Sequence, residues 1–597
     1  MTMLNTSLTR LPLRFLLGVI AFCGSFALSA QNTELDKLNI LIDSAWAYRS
    51  TPRPLDAESG PDDESLPDMS LDALDARLSF WNGILGSLNN LEPHDFSSSD
   101  KINYEVFRYI VEGEVNYYQF KRYLVPFNAE GGFHTGFARQ RRTLRSLEDV
   151  HAYISRLEEF TSLTDQQIEL MRKGLEAGYQ MPCVIVEGFD QIARTYITDS
   201  PEESTFWQPV LNSESTLDDE NFAILEMGAA SAITEHVFPA YDRLADYLES
   251  EYIPGCRQTI NTDHTVDGKD YYSERIRHFT TLEMTPRQVY DLGQAEVKRI
   301  RAEMEDIIEE VGFDGSFDEF LDYLRTDPRF YAKTPRELLS AASYHAKKID
   351  GKLPEYFGKL PRLSYGVEPV PDEIAPRYTG GRYVPGNAEQ GRSGTYWVNT
   401  YKLESRPLYI LPSLTLHEAV PGHHLQISLA AEMDNMPEFR SNYYISAFGE
   451  GWALYTEYLG KEMGIYETPY EKFGALTYEM WRACRLVVDP GMHAFGWSRD
   501  QAVQFMTENT ALSIHEINTE INRYIGWPGQ AVSYKIGELK IRELRARAEN
   551  ALKDEFDLRA FHDVVLSNGS VPLFVLEEMI EEWIAAEKAN SKSGKSD

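Results

Sequence analysis

A chain of 597 residues in which 43% are hydrophobic can bury a large core, so the sequence excludes an intrinsically disordered protein. Its formal net charge of −35 excludes nucleic acid and anionic membrane surfaces as expected partners, because both bind basic surfaces. Four cysteines are too few for a disulfide framework, and the excess of acidic residues mainly favours solubility.

Residues 1–30 have the pattern of a secretory signal peptide. Arg10 and Arg14 precede an apolar run that ends at Leu28, and small residues lead to a cleavage site after Ala30. The run is short for a membrane-spanning helix and no stop-transfer pattern follows, so we expect no membrane span and a periplasmic or secreted protein. Removal of this segment changes the formal charge from −35 to −37.

The cysteines suggest little covalent modification. Cys23, in the signal segment, is a poor lipidation site because Phe22 occupies the preceding position, where a small residue is expected. In the mature chain Cys183 and Cys256 are compatible with one disulfide bridge, which the sequence does not decide.

Helical periodicity dominates the N-terminal half of the chain. A first helix begins within 31–50, a Pro- and Asp-rich loop follows at 51–68, and apolar residues then recur at intervals of three and four. The segments with this pattern are 71–90, 100–126, 146–178, 216–249, 285–311 and 316–325. We therefore expect a mainly α fold, with an N-terminal helical region over 31–359.

The composition changes over 360–412, where repeated prolines and the pair Gly380-Gly381 predict loops and short strands. The segment 395–400 favours a strand more than any other. We expect a catalytic region with short strands over 360–588. The polar, Ser- and Lys-rich tail at 589–597 predicts disorder.

The run 417–424, with the sequence HEAVPGHH, is the most informative feature of the chain. In the zinc motif HExxH two histidines lie four residues apart on one helix face, and the glutamate is the general base. Here the spacing is longer. On an intact helix His423 would point away from His417, and His424 would lie roughly 10 Å along the axis. Neither could share a zinc ion with His417 at bond lengths of about 2.0–2.1 Å.

We therefore infer that the helix is distorted at this point. Pro421 lacks an N–H group and its ring would clash with the carbonyl of His417, and Gly422 has a backbone that is free to bulge. We expect residues 420–422 to form a bulge that returns His423 to the ligand position, with His424 as the reserve. The later His515-Glu516 pair is interpreted as an ordinary helix pair.

A catalytic zinc ion needs a third protein ligand and one open position. Glu450 is the best candidate, because it lies between two glycines and enters an apolar helical run where a carboxylate needs a partner. Glu457, two turns later on the same face, is compatible with a role in holding a histidine or with an ordinary exposed position.

Four blocks of sequence, 417–426, 449–466, 482–497 and 523–537, together resemble the bacterial domain-of-unknown-function family 885. That family is grouped with zinc metallopeptidases of the glutamate-ligand type. The resemblance implies a large helical fold with a small β-sheet beside the zinc helix and a deep central cleft, one Zn²⁺ ion, and hydrolysis of short peptides. In similar enzymes an edge strand beside the metal helix pairs with extended substrate, and we assign that role to 395–400, including Asn399.

The expected reaction is hydrolysis by a metal-activated water, with Glu418 as the general base that passes the proton to the leaving amine. The oxyanion needs a donor. Relatives use a tyrosine or histidine downstream of the metal helix, so Tyr534 is the first candidate and Tyr524 the second. His493 is a further candidate, with a capping role as the alternative.

A peptidase that trims short peptides is expected to bind the terminal carboxylate through a basic side chain. Arg523, Lys535 and Arg545 lie in the right block. The sequence does not decide between exopeptidase and endopeptidase action, or the oligomeric state. The alternatives are a zinc hydrolase of non-peptide amides, a glycosidase with paired carboxylates and a secreted, non-catalytic binding protein.

Overall fold

Helices make up most of the chain, so the predicted mainly α fold is confirmed. The computed structural model describes residues 33–49, 66–139, 143–372, 375–388, 391–434, 436–441 and 443–594. The predicted signal peptide lies outside these residues, as does most of the predicted loop at 51–68. No helix in the described part of the chain combines the length and apolar character needed to cross a bilayer.

The predicted helices of the N-terminal half are confirmed within a few residues. The segment predicted at 216–249 is built from two α-helices that are continued by the π-helical turns Ile233–Val237 and Leu248–Tyr252. The helices of this half are α1 (Glu34–Arg49), α2 (Leu71–Leu88), α3 (Ser98–Gln119), α4 (Phe133–Phe137), α5 (Leu147–Ala177), α6 (Cys183–Val186), α7 (Phe189–Arg194), α8 (Gln208–Ser213), α9 (Asp219–Ala232), α10 (Phe238–Tyr247), α11 (Gly268–Thr280), α12 (Pro286–Glu310), α13 (Phe317–Thr326), α14 (Pro335–Asp350) and α15 (Leu353–Tyr356).

Ten further α-helices lie in the described part of the C-terminal half. The last of them extends through 589–594, so this part of the segment predicted to be a disordered tail is helical, and 595–597 lie outside the described residues. The ten are α16 (Leu411–Glu418), α17 (His423–Ala431), α18 (Glu438–Ser441), α19 (Ser446–Glu462), α20 (Pro469–Ala494), α21 (Arg499–Asn509), α22 (Ile514–Gly526), α23 (Ser533–Leu552), α24 (Leu558–Leu566) and α25 (Leu573–Gly594).

The described strands form two small sheets. A short hairpin pairs β1 (Phe127–Asn128) with β2 (Gly131–Gly132). The larger sheet contains β3 (Tyr365–Pro369), β4 (Gly381–Val384) and β5 (Gly394–Val398) in the order β3-β5-β4. The strand predicted at 395–400 therefore exists, but its assignment as an edge strand is wrong, because β5 pairs with β3 on one side and β4 on the other.

One continuous hydrophobic core extends from Leu38 to Ile584 and crosses the predicted boundary between residues 359 and 360. The two long helices α12 and α20 are in direct contact, since a Cβ atom at Gly293 would lie 2.7 Å from the Cβ of Leu486. Cys183 and Cys256 form a disulfide bond, which settles the pairing that the sequence left open. The two-region division and the deep central cleft stay predictions.

A contact between two glycines sets the distance between α19 and α23. A Cβ atom at Gly451 would lie 2.5 Å from the Cα of Gly537, and one at Gly537 would lie 2.0 Å from the carbonyl oxygen of Ala447. Real Cβ atoms do not approach backbone atoms so closely, so both positions need glycine. The contact allows the two helix backbones to touch.

Replacement of Gly537 by alanine should destabilise the protein, because the added methyl group forces α19 and α23 apart. We expect the free energy of unfolding to fall by about 3 kcal/mol, at the upper end of overpacking effects. Gly83→Ala is the matched control, since a Cβ there meets no atom within 4 Å and a helical alanine is worth about 0.5–1 kcal/mol over glycine. Urea denaturation should move the two midpoints in opposite directions, and equal midpoints for the two variants would contradict this account.

Candidate metal centre

The helix that carries His417 ends immediately after it. Helix α16 stops at Glu418, helix α17 begins at His423, and the four residues between them are non-helical, with a cis peptide bond before Pro421. A Cβ atom at Gly422 would lie 1.9 Å from the carbonyl oxygen of His417. The predicted bulge is therefore a complete interruption between two helices, and glycine is required there because the chain passes against the end of α16.

The interruption brings His417 and His423 to a common point, and α19 supplies Glu450 from the opposite side. The Oε2 atom of Glu450 lies 3.5 Å from Nε2 of His417 and 3.4 Å from Nε2 of His423. Ligand atoms of the three residues all lie within 4.8 Å of one another. The three predicted ligands thus form one cluster, buried except for partial exposure of Glu450.

These separations fit a shared metal ion better than direct hydrogen bonds. A charge-assisted hydrogen bond has a donor–acceptor distance of about 2.7–2.9 Å, which is shorter than both separations. The edge of a tetrahedron with zinc–ligand bonds of about 2.0–2.1 Å is roughly 3.3–3.4 Å. Two imidazoles and one carboxylate are also a ligand set of catalytic zinc sites. The residues of the cluster therefore fit a zinc ion.

His424 has both ring nitrogens engaged elsewhere. Its Nδ1 lies 2.9 Å from the hydroxyl of Tyr383, and its Nε2 lies 3.1 Å from the carbonyl oxygen of Leu363. Burial lowers the pKa of His424 to about 4, so the ring is neutral. Among the two histidines that the sequence left open, the structure places only His423 in the cluster.

Glu457 holds the first imidazole from behind. Its Oε1 atom lies 2.7 Å from Nδ1 of His417, and its Oε2 atom accepts a hydrogen bond of 2.6 Å from the hydroxyl of Ser413. Glu457 is 3% exposed. A carboxylate on Nδ1 fixes the ring, and Nε2 of His417 faces the cluster. The structure thus resolves the question about Glu457 in favour of a contact with the ligand.

Glu450 is in the ionised form that a metal requires. Burial raises the pKa of its carboxyl group, but the two facing imidazoles, His423 first, outweigh this effect and hold the pKa well below its ordinary value. The candidate general base Glu418 follows His417 directly and is half-buried. Its Oε2 atom accepts a hydrogen bond of 2.8 Å from the backbone N–H of Tyr383 in β4, so the sheet fixes the orientation of this carboxylate.

Tyr534 is the predicted oxyanion donor that the structure brings to the cluster. It lies one turn before Gly537, so the glycine contact between α19 and α23 sets its distance from Glu450. Its ring packs on the guanidinium of Arg485, 4.3 Å from the ring centre. Burial and the charge of Glu450 raise the pKa of Tyr534, so the phenol keeps its proton.

Tyr524 and His493 are structural, and their assignment as donors is wrong. The hydroxyl of Tyr524 accepts hydrogen bonds from Trp481 (3.0 Å) and Arg485 (2.7 Å), and the side chain is fully buried. His493 is also fully buried, with Nε2 3.0 Å from the carbonyl oxygen of Tyr524. Tyr524 therefore supports the arginine on which Tyr534 packs.

The prediction that Lys535 contacts the substrate is wrong, because this side chain is buried. It has no exposed surface, and its ammonium group lies 3.2 Å from Glu296 and 2.8 Å from both Glu479 and Glu538. The neighbouring Tyr534 faces the metal cluster, so the next side chain of the same helix points into the protein. Lys535 compensates buried carboxylates and cannot reach a substrate.

Asn399 and Arg545 are also engaged within the fold. The amide of Asn399 is fully buried and donates 3.0 Å hydrogen bonds to the carbonyl oxygens of residues 375, 378 and 379. Its assignment as a substrate contact is wrong, and its role is to fix this turn. Arg545 pairs with Glu462 and Glu549 instead of the metal cluster.

Arg523 stays a prediction as a substrate contact. It donates to Gln530 (2.7 Å) and to Glu520 (3.2 Å). Its charge nevertheless lies close enough to Tyr534 to influence the pKa of that phenol. Arg523 is therefore placed at the back of the site, with its guanidinium already paired to a carboxylate.

Sequence reasoning missed two side chains next to the cluster. The ring of Tyr444 lies over Gly449, where a Cβ atom would be 2.4 Å from its hydroxyl, and enclosure and the charge of Glu450 raise its pKa well above the ordinary value. Arg382 lies on β4, next to the residue that binds Glu418. The glycine that precedes Glu450 was a sequence signal for Tyr444, whereas Arg382 could be identified only from the pairing of the strands.

Comparisons with known proteins identify relatives of the same architecture. The family described as bacterial protein of unknown function (DUF885) matches residues 54–580, so the chain belongs to this family. A comparison with curated proteins gives no match.

Two solved structures share the fold. A candidate lipoprotein from Colwellia psychrerythraea is 27% identical, with a TM-score of 0.78 over 93% of this chain and 97% of its own. A candidate lipoprotein of unknown function from Shewanella oneidensis is 19% identical, with a TM-score of 0.70 over 92% of this chain and 99% of its own. A Pyrococcus furiosus carboxypeptidase reaches a TM-score of only 0.29, which carries no argument.

Replacement of His423 by glutamine should abolish high-affinity zinc binding, whereas His424→Gln should retain it. The reason is that only His423 shares the cluster with His417 and Glu450. Elemental analysis after dialysis should give one zinc per chain for the wild type and for His424→Gln, and a value near zero for His423→Gln. The reverse pattern for the two histidines would refute the ligand assignment.

Proposed function

We propose that this member of the DUF885 family is an exported, zinc-dependent peptidase that hydrolyses short peptides. The observation that carries the proposal is the spacing of Nε2 of His417, Nε2 of His423 and Oε2 of Glu450, which matches the ligand edges of a tetrahedral zinc site. Glu418 lies beside this cluster, and the backbone N–H of Tyr383 orients its carboxylate.

Zinc, when bound, would lower the pKa of a water molecule and polarise a carbonyl group at the same place. Glu418 takes the proton of the attacking water and delivers it to the leaving amine. The hydrogen bond from the N–H of Tyr383 occupies Oε2, which leaves Oε1 of Glu418 for proton transfer. The phenol of Tyr534 donates a hydrogen bond to the developing oxyanion.

The edge strand β4 is the element on which extended substrate would lie. It pairs with β5 on one side, and no other strand in the described residues pairs with it on the other. Because the same strand orients Glu418, a peptide added to its free edge would have its backbone next to the general base. This replaces the role that the sequence assigned to 395–400.

Export is supported by two observations. The first thirty residues have the pattern of a signal peptide. Two relatives with the same fold are described as candidate lipoproteins, which are exported proteins. A location outside the cytoplasm agrees with the bond between Cys183 and Cys256, because disulfides persist in oxidising compartments.

Glu418→Gln should reduce peptide hydrolysis by about 10²–10⁴-fold without loss of zinc, since glutamine cannot accept the proton of the attacking water. Peptide cleavage by the zinc-loaded protein and its zinc content are the paired measurements. Glu404→Gln, at an exposed position outside the cluster, is the control and should retain full activity. A fully active Glu418→Gln protein would remove Glu418 from the mechanism.

Tyr534→Phe should reduce kcat by about 10²–10³-fold with little change in KM, because the lost hydrogen bond forms only in the transition state. Tyr524→Phe serves as the comparison, since its hydroxyl supports Arg485 and is remote from substrate. We expect that variant to lose mainly thermal stability. Steady-state kinetics and thermal unfolding of both proteins decide the question, and a larger loss of kcat in Tyr524→Phe would reverse the assignment.

A further inference from the structure

The exposed face of the larger sheet carries a basic side chain that the mechanism leaves unused. Arg382 lies on β4 directly opposite Trp397 of β5, and its side chain is exposed. Its guanidinium lies 5.7 Å from the ring centre of Tyr378, whose ring in turn meets Trp397 edge to face at 6.1 Å. Arg382 therefore stands on an aromatic surface at the edge of the sheet.

The position of this surface is fixed by buried groups. Asn399 binds the carbonyl oxygens of residues 378 and 379, which holds the turn that carries Tyr378. Tyr383, the next residue after Arg382, has its ring buried and its N–H bound to Glu418. The backbone on both sides of the arginine is thus anchored, and the guanidinium extends from a rigid support.

The charge environment of Arg382 differs from that of the other arginines at the site. Arg485 and Arg523 both form an ion pair with Glu520. Partial desolvation by neighbouring groups lowers the pKa of Arg382, but the phenol of Tyr378 and the charges of Glu418 and Glu130 outweigh this effect and raise the pKa above its ordinary value. Within the described residues, these carboxylates act on Arg382 through space and none forms an ion pair with it. One donor of Arg382 is shared with the hydroxyl of Tyr378, and within the described residues no carboxylate pairs with the others beside the candidate general base.

We propose that Arg382 binds a carboxylate of the substrate, most simply the C-terminal carboxylate of a short peptide lying along β4. A planar guanidinium binds a carboxylate through two parallel hydrogen bonds, and the rings of Tyr378 and Trp397 provide an apolar surface for the adjacent side chain. The proposal rests on the proposed peptidase function. It implies that the enzyme acts on peptides whose C-terminus is free and unblocked.

Binding of tetraalanine and of tetraalanine amide to the zinc-loaded Glu418→Gln protein tests the proposal by calorimetry. We expect the Glu418→Gln protein with Arg382 intact, the parent in this test, to bind the free acid about 10- to 100-fold more tightly than the amide. This ratio corresponds to one charge-assisted hydrogen-bonded pair. Arg382→Gln should weaken binding of the free acid to the level of the amide and leave the amide unchanged. The affinity of Arg382→Lys for the free acid should lie between those of the parent and of Arg382→Gln. Arg392→Gln, on the loop before β5, should bind both peptides as the parent does.

A second peptide pair separates the two sources of a carboxylate. Acetyl-Ala-Glu-Ala-Ala amide and its glutamine counterpart differ only in a side-chain charge. The parent is tested for a preference for the glutamate peptide over the glutamine peptide, and for the free acid over the amide. If Arg382→Gln removes only the first preference, the carboxylate that Arg382 binds comes from a side chain. Equal binding of all peptides by the parent, or an equal loss for acid and amide in Arg382→Gln, would overturn the proposal.

These outcomes are distinct from failure of the proposed function. Absence of peptide hydrolysis by the wild-type zinc protein would overturn the peptidase assignment, whereas the calorimetric difference between acid and amide does not depend on turnover. In an active enzyme the same variant should raise KM for tetraalanine about 10- to 100-fold with little change in kcat. A loss confined to kcat would instead assign Arg382 to the chemical step.

Discussion

The distance between two imidazoles is the constraint on which the metal centre depends. His423 follows His417 by six positions, and a regular helix would direct the two side chains to different faces. The interruption between α16 and α17 removes this problem only because other groups hold it in place. Trp452 donates a hydrogen bond of 2.9 Å to the carbonyl oxygen of Pro421, and Thr456 donates one of 2.9 Å to that of Leu416. Both donors lie on α19, so the helix that provides Glu450 and Glu457 also secures the backbone that presents the histidines.

Helix α23 fixes the position of Tyr534 in a similar way. Gly537 allows it to touch α19, which places Tyr534 beside Glu450. The following residue, Lys535, is surrounded by three carboxylates with no exposed surface. Removal of one member of such a buried group leaves an uncompensated charge and typically costs about 3–5 kcal/mol. The buried ion cluster and the glycine contact thus restrict the rotation of α23 from opposite sides, and the position of the tyrosine follows from both.

Local sequence was sufficient for features that arise from neighbouring residues. The helical segments follow from apolar periodicity, and the candidate ligands His417 and Glu450 follow from residue types that ordinary helices do not need. Features that depend on distant pairing were not accessible. The strand at 394–398 has the same alternation whether it is central or at an edge, and only its partners show that β4 is the edge. Lys535 and Asn399 were misassigned because burial depends on which face of an element meets the core, and Arg382 carries no local signal at all.

The net charge of the whole chain also bears on which peptides could bind near Arg382. A protein with a net charge of −35 repels anionic peptides at long range, although salt limits this effect to about 8 Å at physiological ionic strength. At the site itself, Glu418 and Glu450 add further negative charge. A peptide with one carboxylate near Arg382 and otherwise neutral or basic side chains meets the least repulsion, whereas each additional acidic side chain opposes binding. The same field favours the approach of a divalent cation to the cluster of His417, His423 and Glu450, so the acidic composition agrees with both the proposed metal site and the proposed restriction on substrate charge.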